Sequence, residues 1–570
     1  MRALILDGYV DEPACFGVPP YISPYVRYCA GVFARHGFET NYLTCDRWRD
    51  NRAESDAGIA ASDIVLVIMG LTVPGRYRGG SPLLLRELEM IAGTNRRGKL
   101  ILGGPIRSGY AIRGGSRARK IAPDGVDHIA LGDPEASLDL FCRSGEWDAQ
   151  AVRSPLLLEE IAPLGAPIVT KHPSFPNIIA EVELSRGCDR VDGRCSFCTE
   201  GAGGVYEERG VQGVTGEVAA LDAAGVRAFR LGRCSNVLSW GGDRLPGGIR
   251  PNAARMSELY SSIRAAAPNL SVLHTDNCNP LTIAAFPEES SSCLQAIARY
   301  NTEGDGLSLG LESIDPAVTV ANGLKVTADE AFLAIRLINE TGGVRRTPDA
   351  LPSLLPGINF LFGLAGESRE SLDINRRFLL KLMSSGLAVR RINIRRAIVF
   401  PGSGLEAAAA ENPPRVRERD YRRWKEWVRH EVDPVMLERV APNGTKIKDV
   451  IAEERAGHVI FGRALGSYPP LVGIVSKSVQ TGDKLDVLVT GRGGRSLTAV
   501  RPLDPNSCGR EELEALPGIG RARAEFFISR RPYASQNPEE RLRDIKKTFD
   551  AMDSPELSEK LPRYFSLSRS

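Results

Sequence analysis

Three cysteines, Cys188, Cys195 and Cys198, crowd into the stretch RGCDRVDGRCSFC, with six residues between the first two and two between the last pair. Thiolates this close in sequence are soft ligands that suit zinc or an iron-sulfur cluster. A structural zinc normally takes four protein ligands as two short pairs, and no second Cys-x-x-Cys stands in the chain. Three thiolates can instead hold an iron-sulfur cube and leave one iron open, which is a place for chemistry. A zinc knuckle and unrelated buried cysteines are the alternatives.

Such a loop needs a rigid element behind it. Residues 178–185 (IIAEVELS) combine β-branched residues with alternating Glu181 and Glu183, so they read as a strand running into the cysteines. Further strands recur at intervals with polar or glycine-rich residues at their ends: 226–231 before Gly232-Arg233-Cys234, 270–274 before Thr275-Asp276-Asn277, and 307–311 before Glu312-Ser313. Residues 357–362 precede Gly363-Leu364-Ala365-Gly366-Glu367, and 391–400 precede Pro401-Gly402. Helical stretches separate them, the alternation of a parallel α/β domain. Ordinary strand ends of an α/β domain are the bland alternative for each.

A strand, an Arg-Gly-Cys turn, a second cysteine and Cys-x-aromatic-Cys together resemble the radical S-adenosylmethionine (SAM) superfamily, although that family usually has three residues in the first gap. Val191, Asp192 and Gly193 read as a turn-like insertion. The resemblance implies a partial (β/α)6 TIM-type barrel with its site at the C-terminal mouth. It implies that Cys188, Cys195 and Cys198 bind a [4Fe-4S] cluster, that SAM chelates the open iron, and that reduction yields a 5'-deoxyadenosyl radical. It implies Phe197 beside the adenine, with Glu312, Ser313 and Gly363 at the methionine and ribose. Many members carry Gly-Gly-Glu at the second strand to receive the methionine ammonium. Here Leu231-Gly232-Arg233 stands there, so backbone carbonyls around Gly232 would have to serve, since arginine has no acceptor. Cys234 and Cys278 follow strand ends and are the weak catalytic candidates; inert packing is the bland reading.

The chain has 570 residues, 42% hydrophobic and 25% charged, which suits a multi-domain α/β enzyme. Its net charge of +3 says little about partners. Eleven cysteines are too sparse for a disulfide scaffold, and no run of about 18 apolar residues predicts a membrane span, so a cytoplasmic location is expected. Residues 1–160 read as a separate Rossmann-like, doubly wound domain, with strands near 3–6, 64–69 and 99–102 and helices near 23–36 and 82–94. Ligands there would sit near Asp7-Gly8-Tyr9, Gly70 and Gly103-Gly104-Pro105. The domain resembles the cobalamin-binding-like domain that precedes many radical SAM cores. The Asp-x-His-x-x-Gly motif for an axial histidine is missing, which weighs against cobalamin. Cys15, Cys29 and Cys45 lack the spacing of the auxiliary cluster of methylthiotransferases and read as buried structural cysteines.

After the core (175–410) comes a basic helical connector (411–442), in which Tyr421, Trp424 and Trp427 punctuate PPRVRERDYRRWKEWVR. Its aromatic face is expected to pack on the barrel, with phosphate contact by the arginines as the sharper reading. A small β-rich domain (443–503) follows, with strands at 485–490 and 496–500; its stretch FGRALGSYPPLVGIV carries no decodable motif. The last unit (504–570) contains REELEALPGIGRARAEFFISRR, which resembles the helix-hairpin-helix of DNA- and RNA-handling proteins. Gly518 and Gly520, aided by Arg521 and Arg523, would hold a phosphate without reading sequence. A hairpin reused for packing is the alternative, favoured by the nearby glutamates. The domain order resembles an archaeal-type radical SAM family with a helix-hairpin-helix tail.

The expected function is radical modification of a C–H position on nucleic acid, with structured tRNA or rRNA as partner and ferredoxin or flavodoxin as electron donor. The rivals are a cobalamin-dependent radical methyltransferase acting on a small molecule or protein, and a non-catalytic nucleic-acid-binding protein with a structural cluster.

Overall fold

The computed structural model describes residues 1–12, 15–16, 19–70, 80–190, 194–200, 206–246, 248–324, 326–533, 535, 537–552 and 555–566. The expected insertion turn at Val191, Asp192 and Gly193, and the side chain of Cys15, lie outside the described residues.

The chain opens on β1 (Arg2–Asp7), sends the two-residue β2 (Tyr21–Ile22) to the neighbouring unit, and continues with β3 (Glu39–Thr44), β4 (Ile64–Ile68), β5 (Lys99–Gly103) and β6 (His128–Ile129). These strands, β2 excepted, form a parallel sheet in the order β3-β1-β4-β5-β6. The order reverses between β1 and β4, the switch point at which doubly wound sheets take ligands. Gly8 donates its N–H to the Ile68 carbonyl at 2.8 Å, and a Cβ on Gly8 would stand 2.8 Å from that oxygen and 3.0 Å from the Leu83 side chain.

The second unit contains β7 (Ile179–Glu183), β8 (Ala228–Gly232), β9 (Val272–His274), β10 (Asn277–Cys278), β11 (Asp305–Glu312), β12 (Leu354–Phe362) and β13 (Arg391–Arg396). They pair in parallel as β9-β8-β7-β2 and β10-β11-β12-β13. Thr275 and Asp276, between β9 and β10, link the two sheets along the chain, and the six expected strands are divided between them. β2 adds an edge that the sequence did not suggest, registering Tyr21 with Ile179. The N-terminal sheet is separate from the barrel sheets, yet the two units are packed together. β1 and the helix Pro24–Arg35 share one hydrophobic core with the barrel, and Gly31 and Gly165 let that helix and Pro155–Leu164 touch backbone to backbone.

Alternation sorts the barrel residues. Val182, Phe229, Leu231, Leu273, Leu307, Leu309, Leu311, Ile358, Phe360, Ile392 and Ile394 face the helices and join the core. The opposite face of the strands carries polar residues: Glu181 and Glu183 on β7, Arg230 on β8, His274 on β9, Ser308 and Glu312 on β11, Asn359 on β12, and Arg391, Asn393 and Arg395 on β13. A packed (β/α) barrel fills this space with branched aliphatics. This one lines a polar lumen.

The connector packs its aromatic face on the barrel. Within the helix Glu418–Trp427, Trp424 donates its indole N–H to the Leu372 carbonyl at 3.0 Å and sets its ring 4.9 Å from Phe362. A π-turn (Val428–Val432) and the helix Asp433–Val440 follow. Then β14 (Lys446–Ala456), β15 (Val459–Ala464), β16 (Leu471–Val475), β17 (Lys484–Arg492) and β18 (Ser496–Val500) close into a barrel in the order β14-β15-β16-β18-β17. The C-terminal helices Arg510–Glu514, Arg521–Ser529 and Pro538–Asp550 share a core with this barrel through Leu488 and Val500 against Phe527 and Phe549. Among the described residues no helix is long and apolar enough to cross a membrane.

The loop between β15 and β16, the stretch without a motif, plugs the floor of the polar lumen. Tyr21 donates its hydroxyl to the Gly466 carbonyl at 2.6 Å, Ser467 donates its N–H to His274 Nδ1 at 2.7 Å, and Tyr468 lies 3.3 Å from the Ser308 hydroxyl. Gly466 at φ +141° is required there, because a Cβ would stand 2.6 Å from the His274 ring.

Candidate active site

The cysteine loop leaves β7 at the C-terminal mouth of the barrel and is pinned on both sides. Asp189 accepts from Asn236 at 2.8 Å and from the Ser239 hydroxyl, which ties the Cys188 arm to the segment beyond β8. Arg190 reaches the Gly323 carbonyl at 2.6 Å. Ser196 donates its N–H to the Asn322 carbonyl at 3.0 Å and its hydroxyl to the Asn322 side-chain oxygen at 2.7 Å, and its carbonyl accepts the Leu405 N–H at 2.7 Å. Phe197 packs with Val318, Leu364, Ala397 and Leu405, so the last two cysteines stand beside the ends of β12 and β13.

All three thiols are free and half-buried. Each sulfur faces an N–H: Cys188 that of Arg190, Cys198 that of Glu200, and Cys195 the Arg190 guanidinium at 2.8 Å. Burial pushes all three up, Cys195 to about 11 and Cys198 to about 12, with Cys188 adding to the rise at Cys195, and both adding to it at Cys198. Among the described residues no group of three His, Cys, Asp or Glu is drawn tightly enough to cage a single metal ion. The donor chemistry fits a cluster held by three thiolates. N–H donors aimed at thiolate sulfurs stabilise that charge and tune a cluster.

Opposite the cysteines, β11 ends in Glu312 at φ +58°, a left-handed conformation costly for a glutamate. Burial pushes its carboxyl up to about 8, opposed by the Arg395 guanidinium, and its charge is felt at Cys195. Gly363, at φ +87°, donates its N–H to Glu367 at 2.6 Å, and burial pushes Glu367 up to about 7. The Ser313 hydroxyl is buried and accepts the Asp315 N–H at 3.2 Å, closing its own turn. The Gly232 carbonyl, at the end of β8, accepts the Leu184 N–H at 3.3 Å. Phe197, Glu312 and Gly363 thus stand around the cysteine loop, whereas Ser313 and Gly232 are engaged in local structure.

Below this mouth the lumen is wired by ion pairs that sequence reading did not identify. Arg230 bridges Glu181 and Asp276, all three fully buried. Glu183 pairs with Arg153 of the N-terminal unit and with Arg233, 3.0 Å away; Arg233 itself lies 4.4 Å above the Tyr25 ring at φ +48°. The period-two spacing of Glu181 with Glu183, and of Arg391 with Arg395 around Asn393, was the available signal. Cys234 is buried and takes a hydrogen bond from Ser185 at 3.2 Å, and burial raises it to about 12. Cys278 is buried in the outer core, where burial also raises it.

The hairpin glycines lie far along the chain. Gly518, at φ +76°, turns between the helices Arg510–Glu514 and Arg521–Ser529, and Gly520 caps the second. Arg523 donates to the Gly518 carbonyl at 2.8 Å, and exposed Arg521 pairs with Glu525 at 2.9 Å.

No protein-family model matches this chain. An "Uncharacterized protein" of Archaeoglobus fulgidus is 38% identical over 538 residues, covering 94% of this chain and 96% of the relative. Uncharacterized protein MJ0274 of Methanocaldococcus jannaschii is 38% identical over 511 residues, covering 87% and 92%. The chain belongs to the family of archaeal proteins that these two represent. Among solved structures it is similar to the radical S-adenosylmethionine methyltransferase TsrM of Kitasatospora setae, solved with tryptophan substrate and a SAM analog (17% identity, TM-score 0.49, 72% of this chain and 76% of that chain). It is also similar to the cobalamin-dependent S-adenosylmethionine radical enzyme OxsB, solved with aqua-cobalamin and S-adenosylmethionine (14% identity, TM-score 0.46, 71% and 54%).

Proposed function

We propose that this chain is a radical SAM enzyme that modifies a C–H position of a nucleic acid, with structured RNA as the substrate class. The carrying observation is the set of three thiols, each facing an N–H donor, at the C-terminal mouth of an open parallel barrel whose lumen is polar. When bound there, a [4Fe-4S] cluster and SAM supply a 5'-deoxyadenosyl radical, on reduction by a donor such as ferredoxin or flavodoxin.

The chain's own residues have separable tasks in this reading. Cys188, Cys195 and Cys198 are the cluster ligands, and Asp189, Arg190 and Ser196 hold their loop. Phe197 offers an apolar face beside Leu364, suited to an adenine. Glu312, held in its strained turn, presents a carboxyl to the same space. The Tyr468 loop closes the floor, so that access is from the mouth or the open side of the barrel.

The nucleic-acid part of the reading is supported by the closed five-stranded barrel beside a helical hairpin, an architecture suited to oligonucleotides by fold analogy. No step is routed through cobalamin, since the Asp-x-His-x-x-Gly motif for an axial histidine is missing. Anaerobic reconstitution with iron and sulfide, reduction by dithionite, and quantification of 5'-deoxyadenosine with and without total RNA test the proposal. The expected result is product that rises with RNA. Product indifferent to RNA, together with retained corrinoid, would favour methyl transfer to a small molecule or protein.

A further inference from the structure

The partial barrel is open beside its edge strand β13, and three elements meet there. Arg429, in the π-turn, donates to the Ile392 carbonyl of β13 at 3.0 Å. The β17–β18 turn packs on the same residue, with a Cβ on Gly494 standing 3.7 Å from the Arg429 carbonyl. Asp433 draws the two together, 2.7 Å from Arg429 and 3.5 Å from Arg495.

Positive charge accumulates along this seam. Arg391 and Arg395 project from β13, Lys425 and Arg429 from the connector, and Arg495 from the β17–β18 turn. Arg391 keeps contact with solvent while its guanidinium lies 4.7 Å over the Tyr468 ring. Burial, followed by the neighbouring Arg495, Arg395 and Arg429, lowers Arg391 to about 10, even against the opposing influence of Tyr468. Arg495 and Lys425 are lowered as well, by burial first and then by Arg429. Cations gathered at one seam and mutually repelling, with Arg429 and Arg495 sharing the single carboxylate of Asp433, form a site that gains from an anion. The series is directional. Lys425 and Arg495 meet solvent, Arg391 stands over the Tyr468 ring of the floor, and Arg395, opposite Leu361 in the sheet register, lies near the level of Glu312, opposite Phe360.

We infer that this seam is a phosphate track that receives the phosphodiester backbone of a single strand and leads it into the lumen beside Glu312. Guanidinium forks match phosphate oxygens, and several cations in series fit a polymer of phosphates better than a single one. The track's destination rests on the radical-enzyme reading; its binding does not.

The test uses the full-length reconstituted protein, without reductant, and a fluorescein-labelled 12-nucleotide single-stranded RNA followed by anisotropy against salt. Arg391→Gln/Lys425→Gln/Arg495→Gln is compared with Arg417→Gln/Arg419→Gln/Arg422→Gln, the same charge change on exposed positions of the connector, and both melting temperatures are recorded. The seam variant is expected to bind at least about tenfold more weakly and to lose about two units of salt slope, about 0.7 per phosphate contact. The control is expected to stay within about twofold of wild type.

Equal weakening in both variants, or wild-type binding by the seam variant, would overturn the track. So would AMP or inorganic phosphate competing as strongly per mole as the 12-mer, because the site would then take a small phosphorylated molecule. Wild-type protein that makes 5'-deoxyadenosine while the seam variant binds normally overturns the track alone. RNA binding through the seam without 5'-deoxyadenosine from the wild type overturns the radical reading alone.

Discussion

Ser467 donates its backbone N–H to His274 Nδ1 at 2.7 Å, and this bond fixes the small β-barrel to the floor of the large one. Because Nδ1 accepts, the ring proton sits on Nε2, facing the Glu303 carbonyl at 3.3 Å, and burial keeps the imidazole neutral by lowering its pKa. The two barrels therefore meet through a directed contact that depends on a glycine beside the ring. Gly466→Ala forces a Cβ into the imidazole at a backbone angle that L side chains rarely adopt. A loss of about 2 kcal/mol is expected, read as a lower apparent melting temperature.

The Glu181–Arg230–Asp276 bridge makes a second prediction. Arg230→Met leaves two fully buried carboxylates without their shared cation and is expected to destabilise the protein by about 3–5 kcal/mol in urea titrations. Adding Glu181→Gln and Asp276→Asn is expected to recover most of that loss, since neutral amides remove the unpaired charges.

Glu312 combines strain with a site position. Glu312→Gly relieves the left-handed backbone and is expected to leave stability unchanged or about 1 kcal/mol higher. The same change removes a carboxyl from the space beside the cysteine loop; if SAM binds there as proposed, its affinity is expected to fall by about tenfold or more, measured by equilibrium dialysis. Loss of stability with intact SAM affinity would assign Glu312 to structure instead.

Asp7 supplies a pH prediction. Burial raises its carboxyl from 3.8 to about 6, opposed by the Tyr42 hydroxyl at 2.7 Å and the Tyr9 N–H at 2.9 Å. The folded state then holds the proton more tightly than the unfolded state, so stability falls as pH rises from about 4 to about 6 and stays lowered above. Asp7→Asn removes that penalty, on the order of 2–3 kcal/mol. Its melting temperature is expected to exceed wild type at pH 7.5 and to match it near pH 4.

Much of this architecture is legible in the sequence because burial writes itself as alternation. The strand near IIAEVELS, the later barrel strands and the helix near 23–36 carry strong apolar periods, and the structure places elements there. β3 (ETNYLT) escaped because its outer half is polar, and β14 (KIKDVIAEERA) because charged residues flank its apolar positions. β2 is only two residues long and has no periodicity to detect. At the site, the cysteines and Glu312 are legible from local motifs. The partners that hold them are not, because Asp189 meets Asn236, and Arg230 meets Asp276, only through strand register and loop closure across the barrel mouth. Tyr468 is the extreme case, a floor residue supplied from another barrel far along the chain.

The central claim is that Cys188, Cys195 and Cys198 support reductive SAM cleavage. The most direct measurement is 5'-deoxyadenosine formed from SAM under dithionite by reconstituted wild-type protein and by Cys188→Ala, Cys195→Ala and Cys198→Ala proteins. Product from the wild type and none above background from any variant is the expected result. A wild-type protein holding a reducible four-iron cluster that yields no 5'-deoxyadenosine would contradict the account.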